Sequence, residues 1–264
     1  MRSRHRNEMV GEVSQFAGIY RERPPDPALR EHVRCFWVND LTRSQNEWVT
    51  VVPDGCVDIV WTGTSLLVAG PDTQPILDCL PRGAVVVGVR FHPGVALSWF
   101  GVPLSEIVNN RVPLAEFWRN DAENLFDKFS RTCSGPEISV ALESFLVRKL
   151  PAVGLADRQI AFLRRAAGDD CDPAGVSLGR LASCLGISER TLRRRSLEAF
   201  GYGFKTLVRV LRFQRFFQLA AHPPTGSLAE LAARAGYADQ AHLTREVRRM
   251  SGATAGEFVA HARG

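Results

Sequence analysis

"SLGRLASCLGISERTLRRRSLEAFG" runs from Ser177 to Gly201, and "SLAELAARAGYADQAHLTREVRRMSG" runs from Ser227 to Gly252. The two stretches are one pattern written twice. Ser177 and Ser227 lie 50 residues apart, as do Gly186 and Gly236, while Leu192 and Leu243 lie 51 apart, as do Arg194 and Arg245. Each copy offers a serine to cap a short helix, a Leu- and Ala-rich run, and a glycine break. A second cap follows (Ser188 or Asp239), then a second helix closed by glycine. That order is helix-turn-helix, in which one helix props the next against the major groove of a duplex. The two motifs are expected over about 177–201 and 227–252.

Projection at 100° per residue sorts the faces of the two second helices. In the first, Arg190 and Arg194 lie opposite Leu192, Arg193 flanks them, and Arg195 turns back toward the core side, where it is expected to snorkel. In the second, Leu243, Val247 and Met250 share an inner face, with Ala241, Arg245 and Arg248 opposite and Gln240 and Thr244 at the flanks. Arginine can fork onto guanine, glutamine onto adenine, and alanine can touch a thymine methyl. A run of arginines on one helix is usually a solvated face. Two copies with matching caps, breaks and outward arginines argue against that plain reading.

Between the copies, "FKTLVRVLRFQRFFQLAAH" carries Phe204, Leu207, Val208, Leu211, Phe216 and Leu219 at helical spacing. A helix over about 203–221 would hold the reading helices about one DNA turn apart, roughly 34 Å. Arg209, Arg212 and Arg215 on this rod either meet phosphates or keep it soluble, and the sequence does not choose.

Charge separates the two halves of the 264-residue chain. Met1–Gly154 holds 16 Lys+Arg and 18 Asp+Glu, a net of −2, and Leu155–Gly264 holds 17 and 10, a net of +7. Lys205 is the only lysine of the basic half. Such asymmetry suits a polyanion partner for the C-terminal half alone. No apolar run approaches the roughly 20 residues that span a bilayer, and the basic start "MRSRHRNEMVGE" lacks the apolar core of a secretory signal. The chain therefore reads as cytoplasmic, away from membranes, with a frayed first dozen residues.

The first hundred residues read as β. "VRCFWVND", "EWVTVVP", "CVDIVWTG", "SLLVAGP" and "GAVVVGVRF" are short, β-branched or aromatic, and punctuated by turn residues. They suggest a small sandwich or barrel. After His92-Pro93-Gly94, "DAENLFDKFS" and "PEISVALESFLVRKL" turn helical. Pro151 and Gly154 act as breakers. The domains are expected to be 1–152, a β-rich sensor or dimerisation domain with a helical end, and 153–264, the DNA-binding domain. The fold class is α+β, a β-barrel or sandwich-like domain with following helices, then an all-α double helix-turn-helix domain.

The C-terminal region, from about Asp157 to Phe258, resembles the AraC/XylS family of bacterial transcription regulators. The resemblance rests on "LASCLGISERTLRRR", "LRFQRFFQLA", "ELAARAGYADQAHLTREVRRMSG" and the closing "GEF". It implies a bilobed domain of seven helices reading adjacent major grooves. The family's base-reading positions match Arg190, Arg193 and Arg194, then Gln240, Ala241, Thr244 and Arg245. Ser196 departs from the family's packed Phe, which should loosen the first lobe unless Leu197 or Phe200 fills the gap. "GATAGEF" departs by lacking a proline. The stretches "YRERPPDPALREHVRCFW", "VPDGCVDIVW", "AGP", "VGVRFHPG" and "RVPLAEFW" resemble a β-rich N-terminal module of some members, which supplies context and no ligand.

In that module Asp54 is expected to cap the turn Pro53-Asp54-Gly55. Asp58 faces either a lumen or solvent, and Arg90 is either its ion-pair partner or an anchor for an acidic effector. Trp37, Asp58, Trp61 and Arg90 form the effector-site candidates. Trp48 is a further aromatic, and large aromatics in a small β domain are more often core. His92 reads as a helix-entry residue. No enzyme emerges. The six histidines (His5, His32, His92, His222, His242, His261) are scattered, and serine-nucleophile and phosphate-loop signatures are missing. The six cysteines (Cys35, Cys56, Cys79, Cys133, Cys171, Cys184) show no C-x-x-C pair, against a disulfide scaffold, a zinc module or an alkyl-accepting repair site. No cofactor or metal is expected. The partners expected are double-stranded promoter DNA and a small-molecule effector, with RNA polymerase and a second copy of the chain left open. The rival function is a ligand-independent architectural or partner-docking protein whose N-terminal domain only dimerises. A solid interior would favour it, and an open pocket with converging polar groups would favour a sensor.

Overall fold

The computed structural model describes residues 12–13, 18–42, 48–80, 83–132, 134–168, 177–221 and 226–263. The segment read as frayed, to residue 11, lies outside them, as do Cys133, Cys171, His5 and His222.

Among the described residues the N-terminal half builds two sheets. The larger has six antiparallel strands in the order β2 (Ile19–Arg23), β3 (Val33–Asp40), β8 (Val85–Phe91), β5 (Val57–Trp61), β6 (Leu66–Ala69) and β9 (Arg111–Pro113). The smaller orders β1 (Glu12–Val13), β4 (Trp48–Val51) and β7 (Ile76–Cys79). Among the described strands neither sheet closes on itself, so of barrel and sandwich the chain takes the sandwich. Strands β3, β4, β5, β6 and β8 fall inside the five quoted runs. The strands β2 and β9 carry too many charged or proline residues to stand out, and β7 is only four residues long.

The period of two sets what each face of the large sheet meets. In β5, Val57, Ile59 and Trp61 point to one side, with Phe36, Val87, Val89 and Phe91 from neighbouring strands. This side is roofed by α1 (Ala96–Phe100), α2 (Ala115–Ser130) and α3 (Gly135–Val153) through Trp99, Trp118, Phe129 and Leu142. Cys35, Trp37 and Val86 face the other way, against Val49 of the small sheet. Helix α3 continues past Pro151 for two residues, so Gly154, at φ 80°, ends it rather than the proline.

Among the described residues the C-terminal half is seven helices: α4 (Arg158–Gly168), α5 (Leu178–Cys184), α6 (Glu189–Phe200), α7 (Phe204–Ala221), α8 (Leu228–Ala235), α9 (Gln240–Ser251) and α10 (Ala255–Arg263). The expected repeat appears as α5–α6 and α8–α9, with α7 between. The caps differ between copies. Ser227 bonds Glu230 N while Glu230 returns to the Ser227 N–H, a complete capping box. Ser177 makes no side-chain cap bond. Its third helical position is Arg180, which has no acceptor to return. The missing proline near the C-terminus is offset by a similar box, in which Thr254 and Glu257 bond each other's backbone N–H at 3.3 and 2.8 Å. Phe258 then drops among Phe213, Phe216 and Phe217, with ring centroids 5.3–5.9 Å away. Among the described residues no helix is long and apolar enough to cross a membrane.

Ser196 is fully buried, and its hydroxyl has no hydrogen-bond partner among the described residues. Leu197 is 46% exposed and does not reach inward, while Phe200 packs toward Gly94 of the N-terminal half. A sealed, unbonded hydroxyl costs free energy that a methyl group does not. Ser196→Ala is therefore expected to stabilise the chain by about 1 kcal/mol in chemical denaturation; a loss of stability would mean that the hydroxyl has a partner.

Candidate nucleic-acid interface and inter-sheet cavity

Helices α6 and α9 are each started by a side-chain cap. Ser188 Oγ accepts from Thr191 N at 3.2 Å, and an Asp239 carboxylate oxygen accepts from His242 N at 2.6 Å. Each is anchored by leucine on its inner face, Leu192 and Leu243 being fully buried, with Val247 and Met250 beside the latter. The outward sets follow. Arg190, Arg193 and Arg194 are exposed, as are Gln240, Ala241, Arg245 and Arg248. Thr244 is half-buried and donates its hydroxyl to Gln240 O at 2.9 Å.

The arginines of α6 have different restraints. Arg193 and Arg194 pair with Glu189 and Glu198 one turn away at 3.5 and 2.9 Å. Such exposed pairs contribute little and yield readily to a phosphate or a base. Arg195 turns inward, bonding Gln159 Oε1 and lying 3.9 Å from Asp157. It braces α6 on the start of α4, in keeping with its position on the helical wheel.

Arg209, which the sequence leaves between phosphate and solvent, does neither. Its Nε and Nη2 donate to Glu246 at 2.8 and 3.0 Å, tying α7 to α9 with a two-point bond. Arg212 lies over the Tyr237 ring at 5.5 Å, and Arg215 Nη2 donates to Gly168 O at 3.4 Å. Arg209 thus ties the second reading helix to the rod, while Arg215 ties the rod to the end of α4.

Of the effector candidates, the structure brings Trp37, Asp58 and Arg90 together. Asp58 and Arg90 are direct cross-strand partners on β5 and β8. Arg90 Nε and Nη2 donate to Asp58 at 3.0–3.2 Å, and Trp37 Nε1 donates to the same carboxylate at 2.9 Å. The indole can lie there because its cross-strand neighbour is Gly88, where a Cβ would stand 2.3 Å from the Trp37 ring. Trp61 does not join them. It sits on the opposite face of β5, edge-on to Phe126 and Phe129. Trp48 is 37% exposed.

Further charged groups complete the site, and of these the sequence singles out only Asp54, as a turn cap. Asp54 caps its turn by accepting from Cys56 N at 2.9 Å, and its second oxygen lies 3.2 Å from Arg90 Nε. Arg111 of β9 grips Asp72 with both Nη atoms at 2.9 and 3.0 Å and donates from Nε to Asp78 at 3.2 Å. Burial works against the charge of Arg90, but Asp58 and Asp54 outweigh it and hold its pKa above the ordinary value. Burial raises the Asp72 carboxyl to about 6 in spite of Arg111. Burial likewise lowers His92 to about 4, helped by Arg164. Trp37, Asp58, Asp78, Arg90 and Arg111 border a cavity of about 170 Å³ between the sheets, whose apolar walls include Val49, Val60, Leu67 and Val86.

The cavity's charged end adjoins the seam with the helical half. Val52, just beyond β4, packs into the C-terminal core. Gln214 of α7 donates from Nε2 to Pro53 O at 2.7 Å, a buried bond one residue from Asp54. Gly201, which ends α6 at φ 83°, lies so close to Pro71, Val108 and Leu104 O that a Cβ would approach within 2.7–3.0 Å. The next residue, Tyr202, buries its hydroxyl beside Gly55 without a bond partner among the described residues.

Residues 21–113 match a family described as a domain of unknown function (DUF6597), and residues 181–261 match a helix-turn-helix domain. No curated protein matches the chain. Among solved structures, ToxT from Vibrio cholerae is 13% identical, covering 91% of this chain and 100% of its own, with a TM-score of 0.49. A DNA-binding transcriptional dual regulator from Escherichia coli K-12 is 21% identical over 39% of this chain and 97% of its own, at 0.34. The C-terminal domain of AraT, a response regulator from Geobacillus stearothermophilus, is 18% identical over 39% and 85%, at 0.36.

The tie between α7 and α9 is open to direct measurement. A double-mutant cycle of Arg209→Met and Glu246→Leu is expected to give a coupling of about 1–2 kcal/mol in chemical denaturation. A coupling near zero would reduce the contact to an ordinary surface pair.

Proposed function

We propose that this chain, whose C-terminal region is a double helix-turn-helix DNA-binding domain of the AraC/XylS type and which is a transcription regulator rather than an enzyme, is controlled by a small effector held between the sheets of its N-terminal half. One observation carries the effector reading. The cavity ends in an ion-pair network that is one residue from the backbone bond holding α7. A ligand that re-pairs Arg90 would shift the Asp54 turn, and the Pro53 carbonyl would carry that shift to Gln214. Control of this kind needs a ligand that binds two arrangements of the seam with different affinity. The rival reading, an N-terminal domain that only dimerises, finds less support, because polar groups converge on an open interior rather than a solid one.

In DNA recognition, Arg190, Arg193, Arg194 and Arg248 are assigned to phosphates and guanine edges. Gln240, Ala241, Thr244 and Arg245 are assigned to base edges near the start of α9, where small and polar side chains allow close approach. Phosphate contacts would supply affinity and its salt dependence. After in vitro selection of an operator, Arg194→Ala or Arg245→Ala is expected to cost about 1–3 kcal/mol on that operator and much less on random DNA. Equal loss on both would confine these arginines to phosphate. Gln214→Leu tests the control. It is expected to leave operator binding by the free chain within about threefold and to erase its response to an effector. An undiminished response would remove the seam from the mechanism.

A further inference from the structure

We infer that the inter-sheet cavity takes a small organic cation, an ammonium group on an apolar body about the size of a phenyl ring. The inference rests on the effector reading above and names the class of ligand.

Size comes first. A cavity of about 170 Å³ is close to the roughly 150 Å³ that accommodates benzene in an engineered core. Its apolar lining is mostly valine and leucine, which suit an apolar body. Two aromatic rings, Tyr20 and Trp37, also line it, with centroids 6.0 Å apart. Aromatic faces attract a cation and repel an anion.

Charge decides the class. The cavity is bordered by Asp58, Asp78, Arg90 and Arg111, and a hollow of about 40 Å³ that shares three of these adds Asp54 and Asp72. Four carboxylates thus face two guanidiniums. Two more distant groups offset each other: Glu22 lies 3.8 Å from Arg90, and Arg34 acts on Asp54 from β3. Both guanidiniums are already engaged, Arg90 with Asp58 and Asp54, Arg111 with Asp72 and Asp78. An entering carboxylate would have to expel one of these partners into a low-dielectric site, leaving a buried charge unpaired. An entering ammonium meets surplus negative charge. Asp78 is its natural anchor. Among the described residues it takes one bond, from Arg111 Nε, keeps 28% of its side chain exposed, and has acceptor positions to spare.

The test is calorimetric titration of the full-length chain at pH 7.5 with three probes of matched size: 2-phenylethylamine, phenylacetate and 2-phenylethanol. The amine is expected to bind at least about tenfold tighter than either of the others. Asp78→Asn, checked for an unchanged melting transition, is expected to remove that advantage. Tighter or equal binding of phenylacetate, or no binding of any probe, would overturn the inference, and the wild-type comparison decides this even if the variant fails to fold. The same probes are then added to the complex with the selected operator. If the amine binds as expected without changing operator affinity, the ligand class stands and the effector reading fails. If phenylacetate binds better and changes operator affinity, the effector reading stands and the ligand class fails.

Discussion

Helix α7 leaves almost no face for solvent. Of its eighteen residues only Lys205 and Gln218 are exposed, because each of the helices around it must hide an apolar stripe and α7 is the surface they share. Short helices of seven, eight or twelve residues such as α5, α8 and α9 would be marginal alone. They persist because α7 receives α4 and α6 on one stretch and α8, α9 and α10 on another, with α5 packed on α6. The phenylalanines 213, 216 and 217, closed over by Phe258, make the second of these joints. A helix held on all sides moves as a rigid body, so a displacement at Gln214 would be felt by both reading helices. That rigidity links the seam to the proposed control of DNA binding.

The seam itself is built by small residues at close approach. Gly201 lets the end of α6 meet Pro71 and Leu104, and Gly94 lets Phe200 in, where a Cβ would stand 2.6 Å from its ring. The first reading helix therefore ends on the N-terminal half, and the rod behind it hydrogen-bonds to the turn at Pro53. The buried, unbonded hydroxyl of Tyr202 sits at this junction. Groups of this kind carry a free-energy cost in one arrangement that another could remove, which suits a contact that changes.

The helical half was legible in the sequence because its signals are local. Caps, glycine breaks and the 3.6-residue period act within a few residues, and the repeat supplied an internal check. What the period could not show was that Val208, Leu211 and Leu219 would be only half-buried while Val210, Phe213 and Phe217 went inside. A single stripe is the wrong template for a helix packed from several directions. Arg209 looked like surface for the same reason, since Glu246 approaches it from another helix. In the β half, Trp37, Asp58 and Arg90 were found, and parity alone would have separated Trp61 from Asp58, three residues away on the same strand. The Arg111–Asp72–Asp78 cluster was not legible. Its geometry depends on β9, three residues long, pairing with β6 across more than forty positions, and no local pattern encodes such a pairing.

The account stands on two motifs held by one rod and used together on one duplex. Hydroxyl-radical footprinting of the full-length chain on its selected operator tests this most directly. Two protected patches on one face of the duplex, centred about 10 base pairs apart, are the predicted result. One patch, unchanged when the exposed residues of α9 are replaced, would contradict it.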